Sequence, residues 1–163
     1  DDIDRFSKLN AISSFQALWA YPDGYIKDLT LPRLGNPRSD WIYPINSIVK
    51  SGGRIAGGSD WTVSSLNPLD AIEVAVTRKE PGNKNGESLI SEEAVTLETI
   101  LNAYTSGGAY SLYIEDKVGS IEVGKLADII ILDRNLFEIY EYEIHQAQVD
   151  YTIFNGEIVY QRF

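Results

Sequence analysis

The chain has 163 residues, enough for about one domain with a sizeable core, and it contains no cysteine, which excludes a disulfide framework and a thiol nucleophile. Its 24 acidic residues outweigh 14 basic ones for a formal charge of −10, with no basic cluster, so nucleic acid and anionic membrane are excluded as natural partners. No apolar run approaches the roughly 20 residues needed to cross a bilayer, and the reading is of a soluble chain, with the cytoplasm favoured.

Ile3, Phe6 and Leu9 recur at helical spacing, and Asn10 is suited to close that helix in a left-handed conformation. Ala11 to Gln16 reads as a buried strand leading into the aromatic Trp19-Ala20-Tyr21-Pro22 segment. Residues 23–41, punctuated by Pro32, Gly35 and Pro37, form a connection long enough to require short helical turns or a pocket-covering role. The spacing predicts a helix over 43–51 with Ile45, Ile48 and Val49 inward, stopped by Gly52-Gly53. A short strand, Arg54 to Gly57, then enters the turn Gly58-Ser59-Asp60.

Asn67 and Pro68 open the next helix, the first as its cap and the second at a position where a missing amide hydrogen costs nothing. Its inward face is expected to be Leu69, Ile72, Ala75 and Val76, and residues 80–88 form a surface loop. A more regular helix over 96–105 carries Leu97, Ile100, Leu101 and Tyr104 on one face. Gly107 and Gly108 are expected to weaken its continuation by about 1 kcal/mol each relative to Ala. After Gly119 the pattern changes to strands: Asp128 to Leu132 is a β-branched run, and Tyr151 to Phe154 and Glu157 to Tyr160 flank the hairpin signal Asn155-Gly156. The chain divides accordingly into an α/β part, 1–117, and a small β unit, 118–163.

Asp60 stands out because residues at the carboxyl ends of parallel strands form the active face of α/β barrels. Its bland alternative is a strand-end carboxylate accepting hydrogen bonds from nearby amides. Ser59 lacks the Gly-x-Ser-x-Gly spacing and a nearby His, so serine-hydrolase chemistry is not expected. Trp19, Tyr21 and Trp61 could line a substrate pocket with large contact area, and Gln16 could hydrogen-bond a substrate. Trp41 reads as a packing anchor, Arg78 as a helix C-terminal charge, and Asp128 and Asp133 as turn caps. His145, the single histidine, falls in a polar stretch and reads as solvated.

Three stretches carry a family resemblance: SSFQALWAYPD at 13–23, GSDWTVSSLNPLDAIEVAVT at 58–77 and GSIEVGKLADIIILDR at 119–134. In this order they resemble landmarks of the amidohydrolase superfamily, amidohydrolase family 3. The resemblance implies the C-terminal part of a TIM-type (β/α)8 barrel, about strands 7 and 8 with flanking helices, plus a portion of an accessory β-sandwich. It also implies a metal-dependent hydrolase of non-peptide carbon–nitrogen bonds and a small amide-like substrate. Asp60 would be the metal-proximal general base and a ligand, Gln16, Trp19 and Trp61 the substrate contacts, and the metal a divalent ion, with zinc expected.

Departures from the family pattern bound that reading. The His-x-His pair, the central carboxylate or carboxylated Lys and the two later histidines are not in this sequence, and a catalytic zinc normally needs three protein ligands. Thr62 stands where relatives carry proline, and Ser106-Gly107-Gly108 replaces a more helical run. The chain is therefore expected to be a C-terminal segment of a longer enzyme, inactive and metal-free alone, with a tendency to self-associate. The alternative is a non-catalytic α/β module stabilised by self-association or a partner.

Overall fold

Strands β1 (Ile12–Phe15) and β2 (Arg54–Gly57) lie parallel, Ile12 opposite Arg54 and Phe15 opposite Gly57, in a computed structural model that describes residues 2–163. Parallel neighbours require a crossover rather than a hairpin, and here the intervening chain is built of helical pieces. Helix α1 (Ile3–Lys8) precedes β1, with Asn10 at φ +51° reversing the chain as expected. The long connection is not a bare loop: turns at Tyr25–Thr30 and Arg38–Trp41 flank helix α2 (Leu31–Leu34), and Asp23 accepts the Ile26 amide at 2.7 Å to start the first. Trp41 does not anchor it, being 55% exposed. Helix α3 (Ile45–Lys50) buries Ile45 and Ile48 before the Gly52 turn at φ +79° returns the chain into β2.

Helix α4 (Pro68–Thr77) begins where the Asn67 side chain accepts the Leu69 amide at 3.1 Å. The expected inward stripe is too narrow. Leu69, Ile72 and Ala75 are buried, Val76 is half-buried, and Ala71, Glu73, Val74 and Thr77 are buried as well. A helix hidden on most sides lies between layers. The second layer is the tail, whose Leu136, Ile144 and Ala147 join Ile45, Ile55 and Ile72 in one core.

Arg78, read as a helix C-terminal charge, and His145, read as solvated, both meet partners far along the chain. Arg78, at φ +58° just past α4, is fully buried and donates to the carbonyls of Leu89 (2.8 Å), Tyr43 (3.2 Å) and Ile42 (3.5 Å). Burial pulls its pKa down to about 10 against the opposing pull of Glu93. A guanidinium offers five donors in a fork, which suits several orphan carbonyls at once. His145 is likewise not merely solvated: its amide donates to the fully buried Glu73 at 2.8 Å and its Nδ1 lies 2.6 Å from the same carboxylate oxygen. The Gly82 amide donates to the other oxygen at 2.6 Å.

Helix α5 (Leu97–Asn102), capped by the Thr96 hydroxyl accepting the Thr99 amide at 3.2 Å, passes through a wider turn at Ala103–Gly107 into helix α6 (Gly108–Ser111). Strands β3 (Ile129–Leu132), β4 (Val149–Phe154) and β5 (Glu157–Gln161) form an antiparallel sheet in that order. Asn155 and Gly156, at φ +50° and +82°, make the expected type I′ hairpin turn. Asp128 and Asp133 do more than cap turns: they accept the amides of Asn155 (2.7 Å) and Gln148 (3.0 Å), fastening both ends of β3 to the hairpin. Among the described residues no helix is long and apolar enough to cross a membrane.

Gly107 is required where propensity alone would disfavour it. A β-carbon there would lie 2.4 Å from the Ile55 carbonyl oxygen, whereas one on Gly108 would meet nothing nearer than 3.7 Å. Gly107→Ala should therefore destabilise the fold by about 1–3 kcal/mol through overpacking, while Gly108→Ala should stabilise it by up to about 1 kcal/mol. Denaturant midpoints of the two variants will separate close approach from propensity; equal shifts would contradict the packing argument.

Candidate functional site

The carboxyl ends of β1 and β2 meet at one edge, and the Gly58 amide continues their ladder by donating to the Phe15 carbonyl at 3.0 Å. Tyr104 supports this edge from the helix side. A β-carbon on Gly57 would lie 2.6 Å from its ring, so only glycine admits that contact, and its hydroxyl donates to the Gly58 carbonyl at 3.4 Å. Burial pushes the Tyr104 hydroxyl up to about 12.

Beyond Gly58 the chain turns sharply. The Ser59 hydroxyl accepts the Trp61 amide at 3.2 Å, the Ser64 hydroxyl donates to the Ser59 carbonyl, and the Val63 amide donates to the Asp60 carbonyl at 2.8 Å. Asp60 itself sits at φ +52°, the left-handed region that Asp enters more readily than most residues. Its side chain is exposed, and among the described residues no hydrogen bond or ion pair engages its carboxylate. The reading of Asp60 as an amide-capping residue does not hold.

Gln16 follows β1 directly and reaches this turn: a β-carbon on Gly58 would lie 3.9 Å from Gln16 Nε2 and 3.8 Å from Ser14 Oγ. Trp61 is 62% exposed beside Asp60, and Val63 and Leu66 further along the loop are exposed as well. Trp19 closes the single turn Ala17–Trp19 and is half-buried, fixed by the fully buried Ala17 and Ala20 on either side. The strand ends thus bring Gln16 to the Asp60 turn, with Trp61 contiguous to it in sequence.

Tyr104 and Ser64 were not marked as site residues by sequence reasoning. The helical spacing of Leu97, Ile100, Leu101 and Tyr104 marked the tyrosine only as core, and a serine in a Ser-rich turn carries no periodic signal. An open groove of about 740 Å³ lies away from this edge, lined by Val49, Val76, Val95, Leu136 and Ile144 among others. A smaller polar hollow of about 250 Å³ is lined by Tyr21, Asp23, Lys27, Glu80 and Glu87.

One carboxylate does not make a metal site. Among the described residues no group of three or more His, Cys, Asp or Glu side chains is placed to hold an ion, and His145 Nδ1 is committed to Glu73. The residues present do not fit a metal by themselves.

Comparison with known proteins relates the chain's sequence and fold to one family. The sequence matches the amidohydrolase family over residues 1–160. It is 31% identical over 121 residues to the N-substituted formamide deformylase of Arthrobacter pascens, covering 74% of this chain and 22% of that protein. An uncharacterized metal-dependent hydrolase from Pyrococcus horikoshii superposes with a TM-score of 0.71 at 25% identity, over 86% of this chain and 28% of that one. An adenosine deaminase from Xanthomonas campestris with bound zinc shares the fold, with a TM-score of 0.62 at 19% identity over 96% of this chain and 34% of that one. The chain spans about a quarter of the length of the curated relatives it matches.

Subtracting the 295 nm titration of Tyr104→Phe from that of the parent should leave one phenol with a midpoint near 12 rather than 10. The phenol is neutral in folded and unfolded chains below pH 10, so its contribution to stability is complete there and is lost as pH rises toward about 12. A difference curve centred on 10 would show that Tyr104 is not buried beneath the turn.

Proposed function

This chain belongs to the amidohydrolase family, and from that premise we propose that it carries the general base of a metal-dependent hydrolase of non-peptide carbon–nitrogen bonds. The observation that carries the reading is the Asp60 carboxylate, unengaged and exposed at the carboxyl end of β2, in a left-handed turn beside the end of β1. The parallel pairing of β1 and β2 supports their assignment as strands seven and eight of a TIM-type barrel within residues 1–117. Residues 118–163 are then a portion of an accessory sandwich. The exposed residues of β5 support self-association of this stretch when it stands alone.

In this reading an Asp60 carboxylate oxygen accepts a proton from the attacking water. The Gln16 amide hydrogen-bonds a small amide-like substrate, and the rings of Trp19 and Trp61 form its apolar wall and keep bulk water out. A divalent ion, zinc in our proposal, would supply Lewis acidity when bound. Asp60 is its one ligand from these residues, and the rest of a three-ligand set would come from chain outside them. The deformylase and deaminase names of the relatives support attack at carbon bonded to nitrogen as the common chemistry.

Asp60→Asn in the hydrolase bearing this stretch should lower kcat/KM by about 10²–10⁴-fold, the usual contribution of a positioned base, with KM little changed. The assay would follow amine or ammonia release from a panel of N-substituted formamides and aminopurine nucleosides. Activity within a few-fold of the parent would overturn the assignment.

A second reading, a non-catalytic module, is favoured by the absence of a metal-holding group among the described residues. On either reading the 163-residue chain, purified after zinc supplementation, should hold well under one zinc per chain by elemental analysis. Tight stoichiometric zinc would contradict the incomplete-site argument.

A further inference from the structure

We infer that Ser64 is a positioning residue that holds Asp60 in the conformation from which it acts; the inference rests on the proposed role of Asp60. A side chain in the left-handed region is less stable there than in the right-handed or extended regions, so the turn must be held by its surroundings. Thr62, inside the turn, has no ring to fix its own backbone.

The hydrogen bonds within 59–64 are unequal in what they can hold. The Val63 amide to the Asp60 carbonyl, at 2.8 Å, closes a single local turn. The Trp61 amide to the Ser59 hydroxyl, at 3.2 Å, spans two residues and leaves the far end of the loop free. The Ser64 hydroxyl to the Ser59 carbonyl spans five residues and joins the two ends of the loop, with Asp60 inside the closed ring. Ser64 is half-buried while its neighbours Val63 and Leu66 are 72% and 61% exposed, so its side chain turns in toward the strand end as theirs turn out.

The same geometry argues against Ser64 as a nucleophile. Its proton goes to a carbonyl oxygen, which cannot accept it covalently, and the only histidine is engaged with Glu73. Ser64 therefore acts through the Ser59-Asp60 backbone without touching reacting atoms. The requirement is a strict one, because a displacement of about 1 Å in a catalytic group can cost about a hundredfold in rate.

Amide ¹⁵N relaxation of the 163-residue chain tests this without a substrate. In the parent the Asp60 and Trp61 order parameters should lie near the rigid value of about 0.85, and in Ser64→Ala they should fall below about 0.6. Ser64→Thr should keep them high and Ser64→Val, its isostere without a hydroxyl, should not, while amides of α4 stay rigid in all variants. A rigid Asp60 in Ser64→Ala or Ser64→Val, or a mobile one in the parent, would overturn the brace. In the hydrolase, the Ala and Val variants should lose about a hundredfold in kcat at unchanged KM, with recovery in the Thr variant. An active Asp60→Asn beside a loosened Ser64→Ala would sink the role of Asp60 and not the brace; an inactive Asp60→Asn beside a rigid Ser64→Ala would do the reverse.

Discussion

Glu73 lies in the middle of α4 with no exposed surface, and its carboxylate is held by the Gly82 amide, the His145 amide and the His145 ring. Burying a carboxylate is costly unless its lone pairs are met, so the fold depends on bringing two distant segments to this one side chain. The loop after α4 arrives at Gly82 and the tail arrives at His145. Lys79 over the Tyr142 ring, at 5.3 Å, and Lys84 over the Tyr140 ring, at 5.9 Å, fasten the same two segments further out. Ile144 and Ala147, on either side of that contact, enter the main core. The helix is thereby clamped between the Ala17–Trp19 turn that follows β1 and the tail.

That clamped helix is the base on which the candidate site stands. Its first turn is fixed by the Asn67 cap, so the loop from Gly58 to Leu66 runs between a strand end and a helix start that are both tied down. On the other side, two close approaches at glycines help set the position of β2. Gly107 lets the α5–α6 region touch the Ile55 carbonyl, and Gly57 lets the Tyr104 ring lie against the strand. Asp60 extends from the one edge where these constraints converge.

Local patterns were legible in the sequence wherever a single element decides the outcome. The Ile45 and Ile48 spacing, the Gly52 stop, the Asn67-Pro68 start and the Asn155-Gly156 hairpin depend on neighbours within a turn or two, and each formed as read. Arg78 was read only as a helix C-terminal charge and His145 as solvated, because a polar side chain near the end of an element looks the same whether it meets water or a partner far along the chain. Arg78 answers to carbonyls at 42, 43 and 89, and His145 to a carboxylate at 73. No period in the sequence carries such a pairing. The motif drew attention to Asp60 but not to the Ser64 hydrogen bond beside it, since that bond depends on how a loop closes.

The arrangement separates two requirements that a hydrolase must meet together. A carboxylate can orient water wherever it is held, but taking a proton from water whose pKa is about 15.7 demands that the water first be made more acidic. In the role proposed for Asp60 the described residues would serve the first requirement through strand ends, glycine contacts and hydroxyl hydrogen bonds, and no group of three metal-binding side chains among them serves the second. On the role proposed for Asp60, hydrogen-bond partners on its carboxylate would occupy the lone pairs that must take the proton, so the turn that carries it matters more than any local contact.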